Sequence, residues 1–130
     1  MTEEQTSLAR RAVACKWWKW LPGMLHGAVY ATATGSGRWQ HEPKLVSCYR
    51  VSDLTLRLDA DRLPDLQDPA TLGCLLHLVR EAWGDPHSSS RWLQPAWKFL
   101  VQRPGYVSYT VVGEGYTETE ALVAALEAAP

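Results

Sequence analysis

Phenylalanine occurs once in these 130 residues and methionine twice. Seven tryptophans and five tyrosines supply most of the large apolar rings instead. Cysteine is sparse too: Cys15, Cys48 and Cys74 are an odd number, lie far apart and form no C-x-x-C pair. That argues against a disulfide framework or a zinc ribbon. No apolar run is long enough to span a bilayer. The opening "MTEEQTSLARR" has acids where a signal peptide needs bases, so a reducing cytoplasm is the expected compartment. An excess of one charge is also missing. Thirteen basic residues face fourteen acidic ones, and a net charge of -1 makes no strong overall field. No G-x-S-x-G, P-loop or G-x-G-x-x-G is present, which removes the common nucleophile and nucleotide signatures.

What is there suits one domain over residues 1–130. Hydrophobic residues make up 46% of the chain, and roughly two-thirds of the unfolded surface of a chain this size is buried on folding, so no covalent staple is needed. Charge is uneven along the sequence. Through Arg50, seven basic residues meet three acidic ones; from Val51 onward, eleven acidic residues meet six basic ones. A mildly basic face follows if the two halves separate in space.

Local signals mark the elements. Thr2 caps a helix running to about Lys16, with Glu3 and Glu4 in the first turn, where the helix dipole favours negative charge. Pro22-Gly23 breaks the chain. "GAVYATA" reads as a strand and "TGSG" as a turn. "KLVSCYRVSDLTLRLD" alternates, with Leu45, Ser47, Tyr49 and Val51 on one side, and reads as one or two strands with an irregularity near Ser52-Asp53. "DADRLPDLQ" reads as a loop. "DPATLGCLLHLVREAWGDP" is the clearest helix: Asp68 caps it, Pro69 takes the first position and Gly84 ends it. Leu72, Leu75, Leu76, Val79 and Trp83 make its apolar face. Gly73, costly in a helix, suggests a close approach by another segment. "HSSSRWLQP" reads as a polar loop. "AWKFLVQ", with Trp97, Phe99 and Val101 on one face, and "YVSYTVVGEG" form a hairpin around Pro104-Gly105. Thr117 and Glu120 then make a capping box for a last helix, with Leu122, Ala125, Leu126 and Ala129 as its buried stripe. The expected class is α+β: a small antiparallel sheet with two or three helices packed on it, in the order helix, strands, helix, hairpin, helix.

Candidate chemistry is thin. "CKWWKWLPGM" interleaves three indoles with Lys16 and Lys19, the residue types a single-strand nucleic-acid binder uses. The competing reading is packing, with Trp17 and Trp20 inward, Trp18 at an edge and the lysines in solvent. Pro22 leaves too little helix for membrane insertion. Cys74 and His77 are neighbours on one helix, but two ligands do not hold zinc, and a mid-helix thiol lacks the activation a nucleophile needs. No metal or cofactor is expected. Asp59, Asp61, Asp65 and Asp68 lack calcium-loop spacing and read as a solvated acidic loop.

The stretches "WKWLPGM", "DPATLGCLLHLVREAWGDP" and "GEGYTETEALVAALEAAP" resemble small proteins encoded by bacteriophages and prophages, and the later part is similar to the phage ABA sandwich domain. The resemblance covers roughly Leu63 to Pro130 and the tryptophan segment; Gly27 to Asp61 matches no family. It implies helix–sheet–helix layering and a phage origin, and it transfers no catalytic residue. The expectation is a non-enzymatic accessory protein in the cytoplasm of a bacterial host. It would bind a protein of that host or of its defence system, for example as an anti-CRISPR-like inhibitor. The candidate binding residues are Trp18, Trp39, Asp59, Asp61, Asp65, Arg91 and Trp92. The alternative is a nucleic-acid-binding module using Arg10, Arg11, Lys16, Lys19 and Arg38, with Trp18 or Trp39 stacking.

Overall fold

The computed structural model describes residues 2–30, 44–52, 58, 61–102 and 108–130. Its elements run α1 (Glu3–Ala14), β1 (Leu25–Tyr30), β2 (Lys44–Arg50), β3 (Arg62–Pro64), α2 (Pro69–Trp83), β4 (Ser89–Leu93), β5 (Ala96–Gln102), β6 (Tyr109–Gly115) and α3 (Glu118–Ala128). The fold is α+β, with three helices and two antiparallel three-stranded sheets, ordered β2-β1-β3 and β4-β5-β6.

The helix ends are where the local chemistry places them. Thr2 and Gln5 form a reciprocal capping box at α1. Asp68 caps α2, Pro69 follows it, and Gly84 closes it in the left-handed conformation at φ 65°. Thr117 caps α3 by accepting the Glu120 N–H. The box expected there is displaced by one residue: the Glu120 carboxylate accepts the N–H of Tyr116, not of Thr117.

α3 is the hub. Thr119, Ala121, Leu122, Val123, Ala125 and Leu126 are all buried, far more than one stripe. One side meets α1 and α2; another lies on the β4-β5-β6 sheet. Gly113 makes that seating possible. A Cβ there would stand 2.2 Å from the Ala121 carbonyl oxygen and 2.6 Å from the Ala125 nitrogen. On α2, Thr71, Leu75, Leu78, Val79 and Ala82 are buried, while Leu72, Leu76 and Trp83 sit half-buried at the rim. The expected face is thus rotated toward Leu78 and Ala82. Gly73 meets nothing within 4 Å, so the close approach expected there does not occur.

Two segments expected to be loops are strands. Arg62–Pro64 pairs with His26–Ala28 as an edge, where a proline's missing N–H does no harm. Ser89–Leu93 pairs residue for residue with β5, joined to it through a cis Gln94–Pro95 bond. β3 is three residues long and β4 mostly polar, so neither carries a periodic signal of its own. The alternation expected from Leu45 to Val51 is broken. His26 pairs with Tyr49 and Ala28 with Val46, so Ser47 and Cys48 both oppose Gly27 in a bulge, and Ser47 takes φ 51°. Of the irregularity expected near Ser52-Asp53, Ser52 lies past the end of β2, while Asp53, the turns at 34–37 and 103–107, and Leu54 and Leu56 lie outside the described residues.

Candidate functional site

The β4-β5-β6 sheet has two unlike faces. Ser90, Phe99 and Gly113 form a cross-strand row that faces α3: Phe99 and Gly113 are buried, and Ser90 Oγ bonds Glu118. The pleat therefore turns Arg91, Lys98 and Glu114, which pair across the sheet, to the opposite side. Past the shift in register between Phe99 and Leu100, that same side carries Leu100 with Val111, then Gln102 with Tyr109. Leu100 is buried yet lies outside the core cluster, as a residue under neighbouring side chains on an outer face would. Tyr109 is 53% exposed, Val111 45% and Leu93, one repeat beyond Arg91, 42%. The Arg91 guanidinium stands 5.7 Å from the Tyr109 ring centroid, a cation–π contact that pre-sets both side chains. The result is an open face of aliphatic and aromatic groups that also carries two cations and the Glu114 carboxylate.

Of the residues anticipated for binding, Arg91 is on this face. Trp92 is not: one position on, it points to the helix side, where its exposed ring meets Trp97 edge-on at 6.1 Å beyond the end of α3. Tyr109, Val111 and Lys98 were missed. Reading "SSRWL" as a strand exposes the alternation that separates Arg91 from Trp92, and that reading was the available signal.

The tryptophan segment is packing. Trp17, Trp18 and Trp20 are half-buried against the core. Trp17 Nε1 donates to the Pro130 carbonyl at 3.0 Å. Trp18 and Trp20 stack edge-on at 5.3 Å, and among the described residues no acceptor meets the buried Trp18 Nε1. Three of the cations expected to contact phosphate already have partners. Arg11 is paired with Glu127, Lys19 with Glu81 at 3.0 Å, and Lys16 lies over the Trp17 ring. Arg10 is exposed; Arg38 lies outside the described residues, as do Trp39 and Asp59. Of the acidic set, Asp61 is exposed, whereas Asp65 is half-buried and accepts the Gln67 N–H.

Two other concavities are open grooves. One, of about 700 Å³, runs between α1 and the β6–α3 junction and is lined by Glu3, Glu4, Arg11, Glu114, Tyr116 and Glu120. Its acids come from segments a hundred residues apart, so sequence spacing carries no trace of it. The other, of about 500 Å³, is lined by His77, Arg80, Glu81, Gly84 and Pro86 and holds no nucleophile. His77 leans toward Glu81 at 3.8 Å, while Cys74 points its thiol at the Pro22 carbonyl. Burial raises the Cys74 thiol above its ordinary pKa, with Asp68 adding to the shift, which is the wrong direction for a nucleophile. Among the described residues no three His, Cys, Asp or Glu side chains converge as metal ligands, and no helix is long and apolar enough to cross a membrane.

No family model matches the chain, and neither a curated protein nor a solved structure does.

Proposed function

We propose that the chain is a non-enzymatic binding module that docks a protein partner on the open face of its β4-β5-β6 sheet. One observation carries this reading: Tyr109 and Val111 stand exposed on one face of β6, and an arginine is already stacked on that tyrosine. Neighbouring exposed apolar groups of this kind mark interaction surfaces, and tyrosine and arginine are the residues interfaces favour. Pre-set side chains also lose less entropy on binding. The sequence resemblance to phage-encoded proteins supports placing the partner in a bacterial host or its defence machinery, with inhibition of that machinery as the outcome.

The test is affinity capture from bacterial lysate with the wild type and with a R91A/Y109A double variant, read by mass spectrometry. The expected result is a partner set retained by the wild type and lost by the variant. Each truncated anchor should cost more than about 1 kcal/mol of binding. Equal capture by both proteins, with circular dichroism showing both folded, sinks this face as the site. Nucleic-acid binding by the N-terminal cations is the weaker reading, since Arg11 and Lys19 are already paired with carboxylates. It requires a gel shift at low salt that weakens steeply as salt rises.

A further inference from the structure

We propose that the β2-β1-β3 sheet contains an acid-sensitive latch, His26 with Arg62, that frees the first half of edge strand β2 when His26 takes up a proton. His26 lies on the central strand β1, 5% exposed, opposite Tyr49 of β2 and Pro64 of β3. Arg62 of β3 donates its Nε–H to His26 Nδ1 at 3.0 Å. An arginine has only donors, so Nδ1 is an acceptor and the imidazole is neutral, with its proton on Nε2. The same guanidinium donates from Nη2 to the Ser47 carbonyl of β2 and lies 5.9 Å from the Tyr49 ring centroid. One side chain therefore ties all three strands together.

It does so where β2 is weakest. Ser47 and Cys48 bulge opposite Gly27, and Ser47 holds a left-handed backbone at φ 51°, which costs energy in a residue with a Cβ. Every residue of β2 except Leu45 is exposed, so little apolar burial holds the strand. Its far end is pinned separately: Arg50 bonds Asp68 and the Gly23 carbonyl, and Val51 exchanges backbone bonds with Gly23 and Met24. Opening is therefore confined to the stretch from Lys44 to Cys48.

A proton on Nδ1 turns the acceptor into a donor facing a donor. It also sets a second positive charge beside the guanidinium. Among the described residues, the groups facing the imidazole are Arg62 from β3, Tyr49 from β2 and Trp20, whose ring forms a T-shaped pair with it at 5.7 Å between centroids. No carboxylate is among them to offset the charge. Burial lowers the affinity of His26 for the proton below that of a free imidazole, and Arg62 lowers it further. The unfolded or opened chain thus binds the proton more readily than the closed sheet. Closure is fully favoured above the ordinary histidine pKa of about 6.5 and is progressively lost as pH falls below it. Losing the Arg62 contact leaves the bulge unsupported, and local opening of so exposed an edge costs less than global unfolding.

Residue-resolved amide hydrogen exchange tests this, corrected for intrinsic rates, near pH 7.5 and near pH 5.5. In the wild type, protection at those amides of residues 28–30 and 44–46 that bond across the β1–β2 ladder should fall by up to about tenfold per pH unit between the free and folded pKa values of His26. Protection in β5 and β6 should hold. In H26N, whose side-chain oxygen sits on Cγ as Nδ1 does and accepts from Arg62 without titrating, the drop should vanish. An equal drop in H26N, or uniform loss across both sheets, overturns the latch. If H26N does not fold, the wild-type ¹⁵N imidazole titration decides. A midpoint below that of free histidine, shared by the β2 amides, supports it; a midpoint at or above the free value, or β2 amides that ignore it, overturns it.

Discussion

Asp68 shows how much one side chain can carry. Its carboxylate accepts the Thr71 N–H at 3.0 Å and the Thr71 hydroxyl at 2.9 Å, and takes both prongs of the Arg50 fork at 2.8 and 2.9 Å. It caps α2 and ties that helix to the end of β2. The Arg50 hydrogen bonds hold its carboxyl far below the usual carboxylate range, with Thr71 adding to the effect and burial opposing it. A depressed carboxylate stabilises the fold above its unfolded pKa, about 3.9, and that contribution disappears as pH falls toward the folded value. Urea denaturation across pH 2 to 5 should therefore show a steeper acid loss in the wild type than in D68N, which keeps a capping side chain but has no charge. D68A should lose about 1 kcal/mol or more at neutral pH from the missing cap. Identical acid slopes in wild type and D68N would remove Asp68 from the account.

Among the helices and strands, two glycines that look alike in the sequence play opposite parts. Gly73 sits mid-helix, exposed, with open space where a Cβ would go. G73A should stabilise the protein by about 1 kcal/mol, the propensity difference in a helix interior. Gly113 sits under α3, where the added methyl would strike helix backbone that has no room to yield. G113A should destabilise by about 1–3 kcal/mol or more through overpacking. Thermal melts of the two variants moving in opposite directions would confirm how closely α3 seats on β6; a neutral G113A would refute it. Strand identity follows the same contextual logic. β3 is too short and β4 too polar to announce itself, and each is a strand because a neighbour offers it a ladder.

The core joins all the helices and the hairpin sheet through one cluster, with Leu8 and Ala12 from α1, Leu75, Leu78 and Val79 from α2, Phe99 and Val101 from β5 and Leu122 and Leu126 from α3. Phe99, the lone phenylalanine, is fully buried between sheet and helix. F99A should cost about 3–5 kcal/mol, as other buried aromatic truncations do. R91A/Y109A, on the opposite face, should shift stability by much less. Urea curves on both variants check this separation of packing from docking. A large loss in the double variant would mean that the open face is structural after all.

Much of the architecture is legible in the sequence. Thr2, Asp68, Gly84 and Thr117 mark helix ends through backbone groups within a few residues of themselves, and Trp97, Phe99 and Val101 declare a half-buried strand by period alone. These are short-range effects, so the chain states them locally. The candidate site and the latch were not readable in this way. Arg91 meets Tyr109 across 18 positions and Arg62 meets His26 across 36, and the split between Arg91 and Trp92 depends on which partner strand they join. Long-range pairing chooses faces and neighbours, and a side chain's chemistry depends on those neighbours, so these features exist only once the sheets have closed.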